Sequence, residues 1–70
     1  MENLLTIEER ISSALDSYTV IETLKTKESL SEEDVNTIQR NIDHLKIVLQ
    51  DEEFLNSITE TDLVKLNKHI

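Results

Sequence analysis

Apolar side chains recur along this chain at alternating steps of three and four residues. Only an α-helix gathers residues so spaced on one side. Leu4, Ile7, Ile11, Ala14, Tyr18 and Ile21 form the first run, and Leu15 and Leu24 widen its stripe. Val35, Ile38, Ile42, Leu45 and Leu49 form a second, and Leu63, Leu66 and Ile70 a short third. Apolar–polar alternation over a strand length does not occur. The expected fold is all-α and a single domain over 1–70. It comprises an antiparallel helical hairpin, about 6–26 and 32–50, and a short C-terminal helix, about 60–69.

The helix starts are marked by capping residues. Thr6 with Glu9 three positions on fits a capping box. Ser31 with Asp34 and Thr59 with Asp62 repeat the pattern with a shorter acid. Leu30 before Ser31 can staple to Val35, and Ile58 before Thr59 to Leu63. Glu8, Glu9, Glu32, Glu33 and Glu60 fall in first turns, where the helix dipole favours anions, and Lys25, Lys27, Lys65 and Lys68 lie near helix ends. The chain has no Gly and no Pro, so helix ends must fray or place Asn56 in the left-handed region. Asp51-Glu52-Glu53 interrupts the second stripe. The second helix either stops near 50 or runs on to about 56.

The same missing residues exclude whole classes of function. Without Gly there is no phosphate-cradling loop, dinucleotide fingerprint or EF-hand. Without Cys there is no disulfide, thiolate nucleophile or thiolate zinc site. Seven Lys and Arg against 15 Asp and Glu leave a net charge of −8, which repels nucleic-acid phosphate and anionic membranes. Met1-Glu2-Asn3 is acidic and no long apolar run follows, so neither signal peptide nor membrane span is expected. The expected location is the cytoplasm.

For a chain of 70 residues, apolar burial and conformational entropy nearly cancel. Association with a second copy is one way to make up the difference. Leu15, Tyr18, Leu24, Ile42 and Leu49 are the candidate self-association seam; the alternative is a monomer whose third helix lies over the hairpin. A homo-oligomer is the expectation. Arg40, His44, Ile47 and Phe54 share the opposite side of the second helix if it continues, and form a candidate partner-binding patch. The competing reading has the third helix fold back over that patch.

No metal, cofactor or catalytic residue is expected. His44 has Arg40, Asn41, Ile47 and Val48 at the helical spacings where metal ligands would sit. His69 is next to the last residue and is expected to fray. Ser12, Ser13, Ser17, Thr19, Thr23 and Thr26 crowd the first helix with no His at a defined spacing. A helical hairpin has little room for a pocket of about 300 Å³ or more. The hydroxyl residues instead weaken the first helix, which must depend on packing for its order.

The stretch Ile38-Gln39-Arg40-Asn41-Ile42-Asp43-His44-Leu45-Lys46-Ile47-Val48-Leu49 resembles a recurring helix in small uncharacterised proteins of tailed bacteriophages, marine cyanophages among them. Phe54, Thr59, Asp62-Leu63, Asn67 and Ile70 follow in the order of that pattern. Glu52-Glu53-Phe54-Leu55 is longer than the corresponding turn and lacks its Trp, and the first half of the chain carries no resemblance. The resemblance implies a phage-encoded, non-enzymatic small protein, placed in the host cytoplasm or the virion, and gives weight to Arg40, Asn41 and His44. Two roles follow. One is a self-associating accessory or assembly component. The other is an acidic regulator that blocks a host protein, conceivably by imitating the charge of DNA. Against mimicry, Glu32-Glu33-Asp34 and Asp51-Glu52-Glu53 are separated by Arg40 and Lys46.

Overall fold

The structure, a computed structural model, describes residues 6–70. Leu4 of the first stripe and the acidic Met1-Glu2-Asn3 lie outside the described residues. Four helices follow in order: α1 (Ile7–Lys25), α2 (Glu32–Val48), α3 (Glu52–Ser57) and α4 (Glu60–Asn67). No strand occurs among the described residues. The all-α class and the hairpin of α1 and α2 are as the periodicity predicts. The boundary after α2 is not. Helix 2 ends at Val48, and residues that looked like a turn or a continuation form a separate helix, α3.

The physical reason is Asp51. Its Oδ1 accepts the Glu53 N–H at 3.0 Å, which caps a new helix whose first turn holds Glu52 and Glu53. Its Oδ2 accepts from Arg10 Nη1 at 3.0 Å, and Arg10 also reaches Glu53 Oε1 at 3.2 Å. The start of α3 is thereby tied to the start of α1. The other three caps match their sequence patterns. Glu9 N–H donates to Thr6 Oγ1 and Thr6 N–H to Glu9 Oε1, both at 3.1 Å. Ser31 and Asp34 make the same reciprocal pair at 3.1 Å. Thr59 Oγ1 accepts from the Asp62 N–H at 3.1 Å.

Helix ends need no left-handed residue. Among the described residues none has positive φ, so Asn56 does not take the role expected of it. α1 and α2 end instead by tightening into three-residue turns: Lys27 N–H donates to Leu24 O at 3.2 Å, and Gln50 N–H to Ile47 O at 3.1 Å. The C-terminal cap of α3, Ile58, is extended.

α1 is the hub. α2 packs along it most extensively, and α3 and α4 also rest on α1. Ala14, Ile21, Ile38, Leu45, Phe54 and Leu66 form one buried cluster drawn from all four helices. Ala14 and the buried Ser17 keep the middle of α1 narrow, so neighbouring helices can approach its backbone. The Ser/Thr-rich helix that depends most on packing thus receives it from three partners. The Cα framework measures 38 × 32 × 16 Å, and the chain exposes 5207 Å². A compact protein of this mass exposes about 4,500 Å².

Candidate functional site

The two candidate residue groups fare differently. Leu15, Tyr18, Leu24, Ile42 and Leu49 are all partly buried and packed against the core cluster. The stripe offered to a second copy is therefore largely taken up within the chain, because α3 and α4 cover the side of α1 that a bare hairpin would leave open. Tyr18 has a specific partner. Its ring stacks on His69, with centroids 6.0 Å apart and planes inclined by 28°.

Phe54 is withdrawn from the partner-binding patch. It is fully buried in the common core, because α2 stops before it and α3 turns it inward. The third arm does fold back, but onto α1, and it leaves the outer face of α2 uncovered. Ile47 is 69% exposed there, the highest value among the exposed large apolar side chains of the described residues. Arg40 is exposed and His44 half-buried. Their spacings of four, three and seven residues put Arg40, His44 and Ile47 on one face of α2. His44 Nε2 is enclosed and has no hydrogen-bond partner. An unpaired buried nitrogen costs about 1–3 kcal/mol, so selection for stability alone would place an apolar residue there.

A cavity of about 280 Å³ opens between the second half of α1 and the first half of α2. α1 contributes Thr19, Val20, Thr23 and Leu24; α2 contributes Glu33, Asp34 and Thr37. The expectation that a hairpin has little room for a pocket is corrected only at its edge, since pockets that enclose a whole small ligand begin near about 300 Å³. The lining combines two apolar walls, three hydroxyls and two carboxylates. Lys27 Nζ donates to Asp34 Oδ2 at 2.8 Å, so an ammonium already sits against one of those carboxylates. The cavity escaped the sequence reading because its residues fall on flanks of the apolar stripes. The only signal was the run of short β-branched side chains at Thr19, Val20, Thr23 and Thr37.

A polar clasp joins the far ends of α1 and α4. Glu22 accepts from Lys68 Nζ at 3.2 Å and pairs through its other oxygen with His69 Nε2. Lys25 Nζ lies 3.4 Å from His69 Nδ1. These contacts are mutually consistent when Nε2 carries the proton and Nδ1 accepts from the lysine. His69 therefore does not fray as expected; its side chain is 9% exposed. The clasp was invisible in sequence because its members lie 44 to 47 positions apart.

The hydrogen bond from His69, then that from Lys68, holds the Glu22 carboxyl below its ordinary value. Lys27, then the Ser31 N–H, does the same for Asp34. For both, the folded value lies below the unfolded one. Their contribution to stability is thus full above the ordinary carboxylate range and is lost as pH falls through the folded values. Thermal unfolding followed by circular dichroism should show stability falling on acidification below about pH 4.5, the ordinary glutamate value. Glu22→Gln should flatten part of that dependence. An unchanged acid limb in the variant would show that the clasp contributes nothing to folding.

Among the described residues no three His, Asp or Glu side chains gather as metal ligands. No helix among them is long and apolar enough to cross a membrane. Comparison with known protein families, curated proteins and solved structures finds no match to this chain.

Proposed function

We propose that the protein is a non-enzymatic protein-interaction module that binds through the outer face of α2. The observation that carries this reading is Ile47, left 69% exposed on a face whose neighbours are Arg40 and the unsatisfied His44. An apolar anchor ringed by polar groups that lack internal partners is the usual composition of a small docking surface. The flat fold supports association as well. Its surface exceeds that of a compact protein of this mass by about 700 Å², close to one partner's share of a standard interface. The first role proposed is a self-associating accessory or assembly component. The resemblance of Ile38 to Leu49 to small phage proteins supports a phage-encoded origin for it.

Sedimentation equilibrium tests this. The chain is expected to sediment as an oligomer that persists in high salt, since an apolar anchor is insensitive to screening. Ile47→Glu should weaken association by about tenfold or more, the equivalent of burying one aliphatic side chain, and leave the thermal transition unchanged. A sharp-melting monomer at high concentration would rule out self-association through this face.

The second role, an acidic regulator of a basic host protein, is favoured by a different observation: the Glu33 and Asp34 carboxylates that face the α1–α2 cavity. A salt-sensitive complex with a basic protein, formed by a monomeric chain, is the result that would select it.

A further inference from the structure

We propose that the α1–α2 cavity is a socket for one lysine side chain of a basic protein segment. The proposal deepens the regulator reading and rests on its premise that the partner is a protein. Three features of the cavity point to this occupant. Its volume of about 280 Å³ suits a side chain better than a whole cofactor or metabolite. Val20 and Leu24 supply apolar surface of the kind that covers the methylene stem of a lysine. The polar groups of the lining can all accept hydrogen bonds: the Glu33 and Asp34 carboxylates and the Thr19, Thr23 and Thr37 hydroxyls. No basic residue lines it.

The occupancy of these acceptors favours a cation further. Thr19 already donates its proton to Leu15 O at 3.0 Å, so its oxygen lone pairs remain for an incoming donor. Asp34 is engaged by Lys27 at 2.8 Å and by the Ser31 N–H at 3.1 Å. Glu33 has no ion-pair partner among the described residues, and it is the carboxylate left to receive a second ammonium. The net charge of −8 draws a basic segment in, but it acts over the whole surface. Stem length is what separates a socket from general attraction. A lysine can place its methylenes along Val20 and Leu24 while its ammonium meets Glu33; a shorter amine cannot do both.

The test uses the full chain, isotopically labelled, and acetylated, amidated alanine peptides carrying either lysine or the shorter 2,4-diaminobutyrate. Amide shifts are expected to concentrate on Thr19, Val20, Thr23, Glu33 and Thr37. The lysine peptide should bind several-fold more tightly than the diaminobutyrate peptide, and this ratio should survive added salt. Glu33→Gln should weaken the lysine peptide by about threefold to fivefold, the range for one exposed ion pair, whereas Glu60→Gln should not. Both glutamates are exposed, so neither variant endangers the fold. Equal binding of the two peptides, or shifts spread evenly to Glu8, Glu52 and Glu60, would overturn the socket. So would butane-1,4-diamine binding as tightly as the lysine peptide, since the occupant would then be a free amine. Oligomerisation through Ile47 is read separately by sedimentation. Loss of the socket therefore leaves the interaction module standing, and loss of that module leaves these peptide shifts intact.

Discussion

Replacing Phe54 with alanine is expected to destabilise the protein by about 3–5 kcal/mol, the usual cost of removing a buried aromatic ring. The whole chain of 70 residues has only about 3.5–10 kcal/mol of stability to lose. Phe54 is fully buried and is the sole buried residue of α3. A helix of six residues cannot persist without such an anchor. The Arg10 pairs to Asp51 and Glu53 will not replace it, because half-exposed ion pairs each contribute about 0.2–1 kcal/mol. Urea unfolding followed by circular dichroism checks this, with Ile47→Ala as the surface control expected to move stability by less than about 0.5 kcal/mol. A Phe54→Ala midpoint close to that of the control would show that α3 is not part of the cooperative core.

The fate of Phe54 also shows where sequence reading stops. The three-and-four spacing located α1 and α2 because helix period and side-chain burial are local properties. The caps at Thr6, Ser31 and Thr59 were equally legible, since each bond spans three residues. Asp51 was misjudged for a related reason. A charged residue at an expected stripe position reads as a break in an old helix, yet the same residue opens a new one when its carboxylate accepts the N–H two residues on. Whether Phe54 then faces water or the core depends on which helix receives it. That choice is tertiary. It is made by the width of the α1 stripe and by Arg10, 41 positions away from Asp51.

Within the candidate site, Ile47 and its neighbours were visible as an apolar residue out of phase with its stripe. The orphaned His44 nitrogen was not, because satisfaction of a ring atom depends on what encloses it. The cavity and the α1–α4 clasp were hidden for the same reason. Each is built from residues that are unremarkable in sequence and acquire meaning only where two helices face each other.

The second large effect is expected from Leu66→Ala. Leu66 is fully buried and is the one buried residue of α4. Truncating a buried leucine costs about 2–5 kcal/mol. The clasp of Glu22 with Lys68 and His69 lies at the same end, but its exposed pair with Lys68 is worth a fraction of that. The apolar anchor should therefore decide whether α4 stays docked. An isolated helix of eight residues is not stable in water, so release and unfolding of α4 are one event. Because α4 rests chiefly on α1, whereas α1 and α2 share the longest contact, the hairpin should outlast it. Amide exchange provides the measurement. In Leu66→Ala, protection is expected to be lost across Glu60–Asn67 while amides near Ala14 and Leu45 remain slow. Parallel loss at Leu45 would show instead that the four helices unfold as one unit, with Leu66 holding the hairpin as firmly as it holds its own helix.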